Sequence, residues 1–237
     1  MSVCLFIFLM TLSSASFRVR IWDLPTRAFH ILLVLCVVGL VVTGEVGGSA
    51  MPFHFWLGYA VFALVLFRLV WGFVGGHWSR FAHFVPTPSR LMGYVKSVHL
   101  KRPMHSVGHN PLGALSVLGM LCLLLLQVIS GFMSDDEIAN TGPWVALIPS
   151  EWVGWATEYH TEIGKLFLIL LICLHVATVL YYKHFKRDDQ ITPMLTGDKV
   201  LDHEVPASRD TWTARTFALS VFLGCAYAVY RLINLSI

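Results

Sequence analysis

Four histidines lie within or at the ends of long apolar stretches, and their spacing indicates a metal-binding role. His160 and His175 lie in one stretch, 15 positions apart. In an α-helix this interval is a rise of about 22 Å and leaves the two imidazoles about 60° apart, on broadly the same side. His30 and His54 lie in two earlier stretches. Two imidazoles on facing helices of a bundle can hold one haem iron between them.

The composition indicates what kind of element carries these histidines. Hydrophobic residues make up 56% of the 237 residues and charged residues 13%, about half of the charged share in a soluble domain. This excludes an ordinary cytosolic domain, a disordered chain and a collagen-like fibre, and it indicates a membrane protein. Five apolar stretches approach the length of about 17–25 residues that crosses a bilayer. These predicted spans 1 to 5 cover residues 28–44, 53–75, 112–133, 160–182 and 214–233.

Basic residues are sorted between the two sides of these spans. Nearly all lysines and arginines outside the spans lie before span 1, between spans 2 and 3, or between spans 4 and 5. The other two loops have none, and the loop between spans 3 and 4 is acidic, with Asp135, Asp136, Glu137, Glu151 and Glu158. The positive-inside rule therefore predicts an inner-membrane protein with a cytoplasmic N-terminus and a periplasmic C-terminus.

This orientation places the four histidines at two depths. His30 and His175 lie near the cytoplasmic ends of spans 1 and 4, whereas His54 and His160 lie near the periplasmic ends of spans 2 and 4. Ionisable residues inside a membrane are by default candidates for function. We therefore predict an inner iron-binding pair, His30 with His175, and an outer pair, His54 with His160. Two such sites, stacked across the bilayer, would form a path for electrons.

Three further residues are predicted to contribute to cofactor binding. Gly58 and Gly164 follow His54 and His160 by one helical turn, where a missing side chain leaves room for a flat haem; ordinary close helix packing is the alternative. Arg68 lies about 21 Å along an ideal helix from His54, at the depth of the inner pair, and no acidic residue is obvious at that depth. It would pair with a haem propionate or extend to the inner head groups.

Each of two other polar residues has more than one possible role. His109 precedes span 3, where it would gate a proton or quinone site or cap the helix. Lys165 lies five positions after His160, and Glu162 is its candidate partner unless that carboxylate meets solvent.

Five segments together resemble the prokaryotic cytochrome b561 family. They are VRIWDLPTRAFH at 19–30, HFWLGY at 54–59, FRLVWGF at 67–73, HNPLG at 109–113, and the stretch 160–175 with a histidine at each end. This family includes di-haem membrane cytochromes b and the cytochrome b subunits of nickel–iron hydrogenases and thiosulfate reductases. The resemblance implies an all-α integral membrane protein with a four-helix haem-binding bundle, here followed by a fifth C-terminal transmembrane helix. It also implies two non-covalent b-type haems with bis-histidine ligation by His30, His54, His160 and His175.

The predicted organisation has four parts. Residues 1–18 form an interfacial or frayed leader, residues 19–187 the cytochrome b561-like bundle, residues 188–211 a cytoplasmic linker, and residues 212–237 the fifth helix. The fifth helix contains no histidine, so its expected role is peripheral packing or contact with another subunit.

The resemblance implies a function in electron transfer in the bacterial inner membrane. Electrons would pass between the quinone pool and a periplasmic redox partner, such as a c-type cytochrome or an oxidoreductase subunit. A superoxide:quinone oxidoreductase acting on its own is the first alternative, although acidic outer loops do not attract the superoxide anion. A haem-free transporter that uses histidines for protons or metal is the second, and it does not explain the two matched pairs.

Overall fold

The computed structural model describes residues 16–100 and 106–235, and these are mostly helical. The elements are β1 (Phe17–Arg20), α1 (Leu24–Val46), α2 (Met51–Val74), α3 (Phe81–Phe84), α4 (Pro88–His99), α5 (Pro111–Phe132), α6 (Ser150–Glu158), a π-helical segment (Tyr159–Gly164), α7 (Lys165–Phe185), α8 (Ile191–Thr196), β2 (Asp198–Leu201) and α9 (Trp212–Ile233). Short 3₁₀ turns cover Gly48–Ala50, His77–Ser79 and Val145–Leu147.

Five helical stretches of the described chain are long and apolar enough to cross a membrane. This confirms the predicted all-α, multi-pass membrane fold. Span 1 is α1, span 2 is α2, span 3 is α5, span 4 runs from α6 through α7, and span 5 is α9. The predicted leader lies outside the described residues as far as residue 15, and its last two positions already belong to β1.

Side chains cap the beginning of three spans. Asp23 accepts a hydrogen bond from the Thr26 N–H before α1, Asn110 caps α5 and Thr211 caps α9 in the same way. Each cap satisfies one of the backbone N–H groups that the first turn of a helix leaves without a partner. The caps therefore set where these spans begin.

Span 2 lies at the centre of the bundle. It packs against spans 1, 3 and 5, whereas span 4 packs mainly against span 3. Val61, Val65 and Trp71 of span 2 are almost fully buried. Span 5 contributes the buried Ala218 and Val229 to the two core clusters around span 2. The fifth helix is thus a packed part of this bundle.

The segment predicted as a cytoplasmic linker, residues 188–211, contains α8 and β2. Strand β2 pairs antiparallel with β1, with Arg20 opposite Asp198. The Arg20 side chain forms ion pairs with Asp198 and Asp210, and Asp210 also pairs with Arg215 in the first turn of α9. This segment therefore ties the beginning of span 1 to the beginning of span 5.

The spans end at two faces that differ in charge. The basic face consists of residues 16–23, the described residues 75–100 and 106–110, and the connection 186–211. The acidic face consists of the connections 47–50 and 133–149 together with α6. The names describe the charges in the sequence, and the assignment of these faces to cytoplasm and periplasm stays a prediction.

Candidate functional site

His54 of span 2 and His160 of span 4 face each other near the acidic face. Their ring centres are 6.0 Å apart and the ring planes are nearly perpendicular, at 88°. An imidazole nitrogen binds a transition metal at about 2.0–2.1 Å, so two imidazoles on opposite sides of one ion have ring centres about 6 Å apart. The observed separation fits two histidines that would hold a single metal ion between them.

Backbone carbonyls fix the orientation of both rings. The Nδ1 of His54 donates to the Leu40 carbonyl of span 1 at 3.1 Å, and the Nδ1 of His160 donates to the Gln127 carbonyl of span 3 at 2.8 Å. Because a carbonyl oxygen only accepts, the proton of each neutral ring is on Nδ1, and Nε2 keeps its lone pair for a metal. Metal-binding histidines usually hold their second nitrogen in this way.

The π-helical segment Tyr159–Gly164 carries His160. A π-helical turn acts as a one-residue insertion, so the 15 positions from His160 to His175 correspond to about 14 α-helical steps. Fourteen steps of about 100° leave the two imidazoles about 40° apart around the helix axis. This rotation is opposite in direction to the 60° predicted from the sequence. Both rings still lie on broadly the same side of span 4. Gln127 supports this turn, because its Nε2 donates to the His160 carbonyl at 2.7 Å. Neither this segment nor the role of Gln127 was indicated by residue spacing.

Two glycines lie directly against the acidic-face histidines. A Cβ added to Gly131 would lie 2.7 Å from Cε1 of His160, and one added to Gly44 would lie 3.2 Å from Cε1 of His54. Real Cβ atoms essentially never approach another atom as closely as the first of these distances. Gly131 is therefore necessary for the observed position of the His160 ring.

The two glycines singled out from the sequence have different surroundings. A Cβ on Gly58 would meet nothing within 4 Å, so open space lies beside it, one turn from His54. A Cβ on Gly164 would collide with Gln127 and Tyr159. Gly164 thus permits the contact between spans 3 and 4 that holds His160, whereas Gly58 borders a space that a flat ligand could fill.

Lys165 pairs with a residue other than the one suggested by the sequence. Its Nζ lies 3.2 Å from Oε1 of Glu45 at the end of span 1, and both side chains are exposed. Such exposed pairs contribute little to stability, so this contact is not part of the site.

His30 of span 1 and His175 of span 4 lie near the basic face, close enough for their charges to interact. Both residues are partly buried. The structure therefore places the His54 and His160 rings against each other near the acidic face, and His30 within electrostatic range of His175 near the basic face. Each pair includes one residue of span 4.

Arg68 of span 2 is buried inside the protein, with 3% of its surface exposed. Its guanidinium carbon lies 5.1 Å from the Phe81 ring centre and 5.8 Å from that of Phe84. Burial on this scale excludes extension to the head groups. Its Nη1 has no hydrogen-bond partner among the described residues. A buried guanidinium N–H without an acceptor indicates a site for an anion.

His109 lies near Arg68 and the basic-face histidines. Its ring centre is 4.8 Å from both the Trp22 and the Phe84 rings. Burial is the main cause that lowers the pKa of His109 to about 3, and the charges of Arg68 and of the basic-face histidines contribute. Its Nδ1 is buried without a partner in the described part of the chain. A neutral imidazole and a guanidinium thus leave two unpartnered polar atoms in one region.

Asp23 is the residue that the sequence analysis missed. It is fully buried, and its charge acts on Arg68, so a carboxylate does lie within range of this arginine. Its oxygens accept hydrogen bonds from Thr26 N, Trp71 Nε1, Gly76 N and Ser79 Oγ. These bonds engage the carboxylate and leave Arg68 Nη1 free. The available signal was an aspartate just before Leu-Pro, a typical helix start.

A bundle of apolar spans that holds paired, oriented imidazoles defines a membrane cytochrome b. The family model described as prokaryotic cytochrome b561 matches residues 21–197, and the chain belongs to the prokaryotic cytochrome b561 family. It is a multi-pass membrane cytochrome of the b type, which carries haem and takes part in electron transfer.

Two described proteins are similar to this chain, one over most of its length and the other over about half of it. A probable Ni/Fe-hydrogenase B-type cytochrome subunit of Azotobacter chroococcum mcd 1 is 26% identical over 223 residues, covering 79% of this chain and 91% of that protein. A probable Ni/Fe-hydrogenase 1 B-type cytochrome subunit of Escherichia coli K12 is 31% identical over 141 residues, covering 49% of this chain and 60% of that protein. No solved structure gives a significant match.

Proposed function

We propose that this protein binds two b-type haems and passes electrons between the quinone pool and a redox partner at its acidic face. His54 and His160 would hold one haem, and His30 and His175 the other. The observation that carries this proposal is the 6.0 Å separation of the His54 and His160 rings, with both Nδ1 atoms engaged by carbonyls. When bound, each haem supplies an iron that changes between the ferric and ferrous states.

The residues of the chain fit this cofactor at both faces. At the acidic face, the carbonyls of Leu40 and Gln127 orient the ligands, and the open space beside Gly58 admits a flat group. At the basic face, the unpartnered Nη1 of Arg68 would donate to a propionate, and the charge of Arg68 would favour the reduced haem. His109 would contribute a second polar contact to the same propionate.

The partner that we propose is an oxidoreductase subunit of the hydrogenase type or a c-type cytochrome in the periplasm. Hydrogenase subunits are suggested by the printed descriptions of the relatives. Charge sorting in the loops supports a periplasmic acidic face. The acidic residues there would dock a partner with a basic surface. The quinone would exchange electrons with the other haem.

Reduction by a quinol tests this function. The purified holoprotein in lipid nanodiscs is mixed with a reduced short-chain quinone, and haem reduction is followed in a stopped-flow spectrometer, with a c-type cytochrome as final acceptor. We expect quinol to reduce both haems and the c-type cytochrome to reoxidise them. In His54→Ala, the quinol should still reduce the remaining haem, whereas transfer to the c-type cytochrome should stop.

A superoxide source added to the same assay tests the first alternative function, that of a superoxide:quinone oxidoreductase. If superoxide reduces the haems faster than quinol does, and quinone then reoxidises them, the protein is a superoxide:quinone oxidoreductase. Failure of quinols to reduce either haem would contradict the proposed quinone link. The family match supports a cytochrome and leaves no reason to retain the haem-free transporter.

Gly131→Ala is expected to lower the occupancy of the acidic-face haem. The added methyl group would overlap the His160 ring and turn its Nε2 away from the iron. The haem-to-protein ratio should therefore fall towards that of a one-haem protein. Gly224→Ala in span 5 is the matched control, because an added Cβ there meets nothing within 4 Å. An unchanged ratio in Gly131→Ala would contradict the assignment of His160.

Arg68→Gln is expected to lower the midpoint potential of the basic-face haem. Loss of an interaction of about 1.4 kcal/mol shifts a one-electron couple by about 59 mV, so a downward shift of this size is expected in a redox titration. Arg90→Gln, at an exposed position of α4, is the charge-matched control. A shift confined to the acidic-face haem would contradict the proposed contact between Arg68 and a propionate.

A further inference from the structure

A cavity of about 510 Å³ lies at the basic face, between the end of span 2 and the beginning of span 5. Its volume falls within the range of about 300–1,000 Å³ that is usual for small-ligand sites. Arg80, His77 and Arg209 form part of its lining, and none of its described lining residues is acidic. None of the four paired histidines lines it.

The two arginines of this cavity are not held in ion pairs by other described residues. No ion pair among the described residues involves Arg80 or Arg209. The Nε of Arg80 is buried without a hydrogen-bond partner in the same part of the chain. The nearby carboxylate of Asp210 is already paired with Arg20 and Arg215. Unpaired guanidinium groups in a concave site fit an anion with several oxygens, such as a phosphate.

The beginning of span 5 adds a second feature that favours an anion. Thr213 and Ala214, in the first turn of α9, line the cavity. The Ala214 N–H is already engaged by Oγ1 of Thr211, so this turn attracts negative charge through the helix dipole. The positive end of span 5 and the two arginines therefore act on the same space.

Apolar side chains of two spans also line the cavity. They are Val74 of span 2 and Phe217 of span 5, and each is 50% exposed on the surface of the bundle. A soluble anion would use only the arginines, whereas a phospholipid would use both kinds of lining, with its phosphate on the arginines and its acyl chains on the apolar side chains. Basic pockets between transmembrane helices bind anionic lipid head groups in this manner.

We propose that this cavity binds the phosphate group of an anionic phospholipid. The lipid would fill the gap between spans 2 and 5 and join the fifth helix to the centre of the bundle at the basic face. The proposal does not depend on the haem assignment, because none of the four histidines lines the cavity.

Native mass spectrometry of the full-length holoprotein tests this site. The protein is released from nanodiscs that contain phosphatidylglycerol and phosphatidylcholine, and the retained lipid is measured. We expect phosphatidylglycerol to be retained in preference to phosphatidylcholine. Each of Arg80→Gln and Arg209→Gln should weaken phosphatidylglycerol binding by about fivefold, as expected for one basic residue near a lipid surface. The charge-retaining variant Arg209→Lys should keep most of the binding.

Control measurements distinguish phospholipid binding in this cavity from other causes of lipid retention. Arg90→Gln removes a basic residue of the same face outside the cavity and should change nothing, and an unaltered haem spectrum shows that each variant is folded. Because Arg209 is exposed, Arg209→Gln keeps the test valid even if Arg80→Gln fails to fold. Equal retention of the two lipids, or unchanged retention in Arg209→Gln, would overturn the proposal. Displacement of phosphatidylglycerol by inorganic phosphate would assign the cavity to free phosphate and also overturn it.

Discussion

His160→Ala is expected to remove one haem from the protein and leave the other in place. The substitution would delete one of the two histidines proposed to hold the acidic-face haem, while the pair proposed for the basic face lies at the other end of span 4. His54→Ala should have the same effect, because its ring faces that of His160 with ring centres 6.0 Å apart. The haem-to-protein ratio, measured by a pyridine haemochrome assay, should fall from two to one in either variant.

The reciprocal variants make this prediction selective. His175→Ala should remove the basic-face haem alone, and the double variant His160→Ala, His175→Ala should bind no haem. His99→Ala is the control, because His99 is exposed on α4 and should have no effect. Equal loss of both haems in His54→Ala and His160→Ala, with the protein still folded, would contradict the pairing.

Asp23→Ala is expected to destabilise the protein strongly. The fully buried carboxylate accepts hydrogen bonds from four groups around the beginning of span 1 and the end of span 2. Alanine would leave those buried donors without an acceptor, at a cost of about 1–3 kcal/mol for each one left unpaired. We expect the free energy of unfolding to fall by about 3 kcal/mol or more, measured as a lower thermal midpoint of the purified holoprotein.

Two further variants test whether the loss of stability comes from the hydrogen bonds to Asp23. Asp23→Asn keeps an acceptor oxygen and should lose less stability than Asp23→Ala, although its amide nitrogen faces other donors. Glu204→Ala removes an exposed carboxylate of the same face and should leave the thermal midpoint unchanged. If Asp23→Ala melts like the parent protein, the hydrogen bonds to Asp23 do not contribute as described.

The spans and the approach of His54 to His160 could be predicted because they depend on local composition and depth. Twenty consecutive apolar residues have few alternatives to a membrane helix. The charges of the connecting loops then predict the orientation of each span in the membrane. His54 and His160 could be matched in depth on this basis alone, and the structure brings them together.

Other features depend on contacts that a local pattern cannot reveal. The Nδ1 acceptors of His54 and His160 are backbone carbonyls, which every residue has, so nothing marks Leu40 or Gln127 in advance. The π-helical segment at 159–164 has no distinctive composition. A single inserted residue there changes the direction of His160, which counting at 100° per residue cannot detect.

The pairing of segments that are distant in the chain also could not be predicted from local sequence patterns. Strand β2 joins β1 across most of the chain, and residues 188–211 look like a linker because they are polar and short of apolar periodicity. Asp23 carried only the signal of a helix cap, although its other three partners lie in or just after span 2. Its role follows from the packing of span 1 on span 2.

The haem content of the purified protein tests the central claim most directly. A dithionite-reduced minus oxidised spectrum, recorded together with the haem-to-protein ratio, should show a b-type α-band and two haems per chain. A ratio near one would contradict the presence of a haem at each face, and absence of the α-band would contradict haem binding by these histidines altogether.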